Sequence, residues 1–94
     1  MAYLRCEYVQ ESMFPKKCIL RFCDSNGRNV EGFFSESHTF EGANDKEKLV
    51  QLSYCSKRSG GLVTIVLPND GTFGEGGRSQ GGFIQVKPSQ IVYR

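Results

Sequence analysis

The sequence predicts an all-β fold, a small antiparallel barrel of six or seven short strands with little or no helix. Apolar and polar residues alternate with a period of two along most of the chain. An Asn26–Gly27 pair separates two of these runs, and a Pro-Ser-Gln turn precedes a last short one. Short antiparallel strands in such an order close into a barrel because closure removes exposed sheet edges. An SH3-like barrel is the first reading, since a brief Pro-containing turn before a final strand suits such a barrel. An OB-like barrel is the alternative, favoured if residues 45–52 are helical.

Taken in order, Tyr3 to Val9 forms a first strand with Leu4, Cys6 and Tyr8 on one face and Arg5 and Glu7 on the other. Cys18 to Cys23 forms a second, with Cys18, Leu20 and Phe22 inward and Arg21 outward. Asn26–Gly27 suits a type I′ hairpin turn, whose two central positions need positive φ. The partner strand runs over Asn29 to Phe34, and Gly32 within it signals a bend or bulge. Phe33 and Phe34 point to opposite faces, so at most one of them enters the core through that strand. Residues 35–45 are polar and form a long loop.

Asn44 and Glu47 match the start of a short helix, but Val50, Leu52 and Tyr54 alternate with Gln51, Ser53 and Cys55. The strand reading is preferred, and this run pairs with Leu62 to Leu67 through a glycine-containing loop. That alternation puts Cys55 on the outer face and Tyr54 with the inward residues. Leu62 to Leu67, nearly all apolar, is the central buried strand. Phe83 to Lys87 and Ile91 to Tyr93 close the chain around Pro88.

A chain of 94 residues, 38% apolar and 23% charged, fits one domain over 1–94 and lacks the composition of disorder. It holds no apolar run long enough to span a membrane and no export signal, which points to a cytoplasmic protein without membrane partners. Four cysteines in a reducing compartment are expected to be free, with Cys6 and Cys18 packing as small hydrophobes and Cys23 and Cys55 on the opposite face. Residues 1–47 carry six basic and eight acidic side chains; residues 48–94 carry six basic and two acidic. The excess cations are scattered, which is weak for a nucleic-acid footprint.

The stretch PNDGTFGEGGRSQGG, residues 68–82, holds six of the eleven glycines. A phosphate-binding loop would need glycine where Thr72 stands, lysine where Arg78 stands, and a helix afterwards. The chain instead continues into the strand pattern GGFIQV, so nucleotide hydrolysis is excluded and a long hairpin loop remains. Such a loop can order around a ligand, with Phe73 as apolar anchor and Arg78 as polar anchor.

His38 is the single histidine and offers no spacing for a Cys–His pair or a zinc site. No catalytic group, metal or cofactor is expected. The chain reads as a non-enzymatic binding module, a protein-interaction or regulatory adaptor using Phe14, Phe33, Phe73 and Arg78. The alternative is a small nucleic-acid-binding barrel drawing on Lys57, Arg58, Arg78 and Lys87, with Arg5 and Arg21 adding charge. The sequence leaves the oligomeric state open.

Overall fold

β1, Ala2–Glu11, is the hub of the molecule: its ten residues pair with three other strands. The fold comes from a computed structural model describing residues 1–13, 15–56, 61–68 and 83–94 and the backbone of residues 72–73. β2 (Lys17–Cys23), β3 (Asn29–Ser35), β4 (Thr39–Glu41) and β5 (Glu47–Gln51) follow. Next come β6 (Tyr54–Cys55), β7 (Val63–Val66), β8 (Thr72–Phe73), β9 (Ile84–Val86) and β10 (Ile91–Tyr93). Short 3₁₀ turns, Glu36–His38 and Pro88–Gln90, precede β4 and β10.

All pairings among the described residues are antiparallel. One sheet has the order β4-β5-β1-β2-β3-β8, with β10 on the first residues of β1; the other is β6-β7-β9. The all-β antiparallel expectation therefore holds, but among the described residues neither sheet closes on itself as a barrel. Their inner faces meet in one core containing Leu4, Leu20, Phe34, Val50, Ile65 and Val86, each fully or almost fully buried. Phe34 is the inward member of the Phe pair, whereas Phe33 lies half-buried on the outer face opposite Ile19.

Several local features differ from the sequence reading. The β2–β3 hairpin exists, but its turn is not type I′, since Gly27 has φ +79° while Asn26 keeps a negative φ. Asp24 accounts for the difference. Its carboxylate accepts from the N–H of Asn26 and of Arg28, and its carbonyl from Gly27, making a type I turn closed by a left-handed glycine. No bulge occurs at Gly32, where the β2–β3 register is unbroken. The bulge lies in β1 instead, where Val9 is the extra residue between Tyr8↔Leu20 and Gln10↔Ile19. It reverses the face of the residues beyond, so Glu11 lands on the same side as Tyr8 and Cys18.

The expected loop at 35–45 contains the first 3₁₀ turn and β4, because Thr39–Glu41 finds a partner in β5. Residues 47–51 are strand, and the helix-start pattern serves a turn: Asn44 accepts from Lys46 N–H and Glu47 from Ala43 N–H. Within 68–82, Thr72–Phe73 forms β8 against β3; the rest of that loop lies outside the described residues.

The chain changes sheets just after β5. Leu52 N–H still bonds Ala2 C=O, while Ser53 N–H already bonds Val66 C=O. This corner reverses the alternation. Cys55 therefore packs against the core and Tyr54 turns outward, the opposite of the sequence expectation.

Candidate functional site

The outer face of the β6-β7-β9 sheet is a small grid. Tyr54 pairs with Val66, and continuing the β7–β9 register places Phe83 beside Val66. The Tyr54 and Phe83 rings meet edge to face, centroids 5.9 Å apart at 85°. Below them lie Ser56, Thr64 and Gln85; Ser56 Oγ accepts from Thr64 N–H at 2.9 Å, and Thr64 pairs with Gln85. By the same register Leu62 and Lys87 make the lowest row. Phe83 is 71% exposed, Tyr54 49% and Leu62 45%, so this sheet presents its apolar side chains to solvent.

The inward residues explain the geometry. Val63, Ile65, Ile84 and Val86 are buried, so strand alternation sends Thr64, Val66, Phe83, Gln85 and Lys87 out. The β2–β3 turn borders this face at β9, held by Ser25 N–H donating to Gln85 C=O at 2.8 Å. Between turn and strand is a cleft of about 540 Å³ lined by Arg28, Asn26, Thr64, Phe83 and Gln85. Asp24 also lines it, but its carboxylate is engaged by the turn amides.

Charge divides the molecule. Glu47, Glu7, Arg21 and Glu31 stand in one row across β5, β1, β2 and β3. Arg21 bonds Glu31 at 2.7 and 2.8 Å and lies 3.8 Å from Glu7, while Arg5 lies 3.9 Å from Glu47. These two arginines are thus matched by carboxylates on the outer face of the seven-stranded sheet. The β6-β7-β9 side differs: beyond Gln51 no described residue is Asp or Glu.

Two other surfaces are more self-contained. Tyr3 and Phe40 pack edge to face at 5.4 Å beside Leu49, which lies opposite Phe40 in register and is almost fully buried outside the main core. Those rings seal an outward-pointing leucine. A cleft of about 420 Å³ lies where the β1 bulge brings Glu11 to Tyr8 and Cys18, with Glu36, Glu41 and Lys48 around it. Two ion or hydrogen-bond pairs lie within it: Tyr8 donates to Glu11 at 2.9 Å and Lys48 to Glu41 at 2.8 Å. Burial pushes the Cys18 thiol up, away from the thiolate a nucleophile needs. No cluster of three or more His, Cys, Asp or Glu that could hold a metal occurs among the described residues.

Of the residues named from sequence, Lys87 sits on the aromatic face and Phe33 on the outer face of the other sheet. Phe73 is in register with Glu31 in β8. Phe14, Lys57, Arg58 and Arg78 lie outside the described residues, as does the side chain of Phe73. Sequence reasoning misses Tyr54 and Phe83. Phe83 carries a signal, since it alternates with Ile84 and Val86; Tyr54 carries none, because the sheet-changing corner reverses its parity. No family model matches the chain, and no curated protein or solved structure is significantly similar to it.

Proposed function

We propose that the protein is a non-enzymatic binding module that engages a protein partner through the outer face of the β6-β7-β9 sheet. The observation carrying this reading is the exposed edge-to-face pair of Tyr54 and Phe83 beside Val66, with exposed Leu62 two rows away on the same face. Exposed aromatics flanked by aliphatic side chains and hydrogen-bonding groups are the composition of a protein-interface centre. In sequence the glycine-rich segment 69–82 immediately precedes Phe83, and it belongs to the same reading.

The finer fold is proposed to be an SH3-like barrel. Support comes from β1 pairing with β10 at one end and β2 at the other, the corner after β5, and the 3₁₀ turn before β10. The strand at Glu47–Gln51 removes the condition attached to the OB-like alternative.

Selection from a random peptide library tests the function. Peptides enriched on the native protein should lose binding by roughly tenfold or more to Tyr54→Ala or Phe83→Ala, as truncated interface anchors do. Enriched peptides that bind these variants equally well would move the site elsewhere, and no enrichment would defeat the reading.

A further inference from the structure

Among the described residues the strands β6, β7 and β9 carry no acid, and Arg28, Lys87 and Asp24 stand at the border of the Tyr54–Phe83 face. Resting on the proposed protein-binding role, we propose that the face receives an extended acidic segment of a partner protein, with an apolar residue seated against Tyr54 and Phe83 and carboxylates reaching Arg28 and Lys87.

Several observations carry this. Arg28 lines the cleft beside Phe83, and no described carboxylate forms an ion pair with it, whereas Arg5 and Arg21 are each matched on the opposite sheet. Lys87 is exposed at the lower edge of the same face and likewise has no described ion-pair partner. Thr64 and Gln85 lie between the aromatic row and Lys87, supplying hydrogen-bonding side chains for an extended backbone. Asp24 is the carboxylate in the cleft, and its Oδ1 is occupied by the N–H groups of Asn26 and Arg28. In sequence, Lys57 and Arg58 directly follow Ser56, and Arg78 lies in the segment leading to Phe83; Asp70 and Glu75 share that segment.

A peptide is favoured over a nucleic acid by the aliphatic members of the grid. Val66 and Leu62 give a nucleobase no aromatic ring to stack on, and two described cations are few for a phosphate backbone. Charge complementarity of this kind sets partner choice and encounter rate, while the buried apolar anchor supplies most of the affinity.

Fluorescence anisotropy with defined probes tests the inference on the intact, reduced protein. The probe is a short labelled peptide of aspartates around a central Leu-Phe pair. It is compared with a version bearing lysine for aspartate, a version bearing serine for Leu-Phe, and oligothymidylate. The aspartate probe should bind more tightly than the lysine and serine versions by roughly tenfold each. Phe83→Ala should weaken it by a similar factor, and Arg28→Gln by roughly threefold to tenfold. Both side chains are exposed or on the cleft rim, and an unchanged circular dichroism spectrum verifies the fold of each variant.

A lysine probe that binds as well as or better than the aspartate probe, yet is lost in Phe83→Ala, overturns the acidic partner and leaves the protein-binding face standing. Tighter binding of oligothymidylate overturns it in favour of a nucleic acid. Failure of the aspartate probe to bind, or binding indifferent to Phe83→Ala and Arg28→Gln, also overturns it.

Discussion

Two glycines show how position decides which side chain is tolerated. A methyl group added at Gly42 would lie 2.6 to 2.8 Å from Glu47 atoms, backbone carbonyl included, at the point where Gly42 N–H bonds that carbonyl at 3.2 Å. Gly42→Ala should therefore cost about 1–3 kcal/mol in chemical denaturation, the range for overpacked sites. Gly27 meets nothing within 4 Å, yet its φ of +79° disfavours any Cβ, so Gly27→Ala should cost about 1–2 kcal/mol by strain alone. The glycine of the hairpin is legible in sequence because Asn-Gly is a local signal. The tight approach at Gly42 is not, since Glu47 becomes its neighbour only once the β4–β5 turn forms. The same limit hides Tyr54: alternation reads outward from a strand correctly until the strand turns a corner.

At the scale of elements, the two aromatic pairs are predicted to behave differently. Phe40 lies opposite Leu49, so Phe40→Ala opens an otherwise buried leucine to water and should lower stability by about 1–2 kcal/mol. Tyr54→Ala and Phe83→Ala expose little and should each cost less than about 1 kcal/mol, with a double-mutant coupling near 0.5 kcal/mol. Loss of peptide binding without loss of stability is the signature expected of Tyr54 and Phe83 under the proposed role. Strands are legible in sequence wherever one face is buried, as in β2, β7 and β9, because burial enforces the period of two. β4 and β8 are not: three and two residues long, they are strands by virtue of the neighbours they pair with. Composition likewise suggests a bulge at Gly32, while strand pairing puts it at Val9.

For the whole molecule, the buried thiol of Cys6 links stability to alkaline pH. Burial, then the neighbouring Cys18 and Glu47, push this thiol well above its ordinary value of 9.0. The unfolded chain loses the proton near that ordinary value while the folded chain keeps it, so deprotonation favours unfolding. The contribution is complete below pH 9 and is lost as pH rises toward the folded value, with a slope of at most about 1.4 kcal/mol per pH unit for one group. Urea midpoints of the reduced protein should fall above pH 9, and Cys6→Val should flatten that fall. The overall fold class is visible in the sequence, since alternation recurs throughout. The division of charge into a paired acidic–basic sheet and an acid-free one is only half visible. Counting charges by chain halves reveals the asymmetry, but the carboxylate partners of Arg5 and Arg21 depend on strand register.

The outer face of the β6-β7-β9 sheet is the proposed binding surface. Its most direct test is a backbone amide NMR titration of the reduced protein with the aspartate probe peptide. Shifts should concentrate on Tyr54, Ser56, Thr64, Val66, Phe83 and Gln85, with smaller ones at Arg28. Shifts centred on Tyr3, Phe40 and Leu49, or on the cleft around Tyr8 and Glu11, with that face silent, would contradict it.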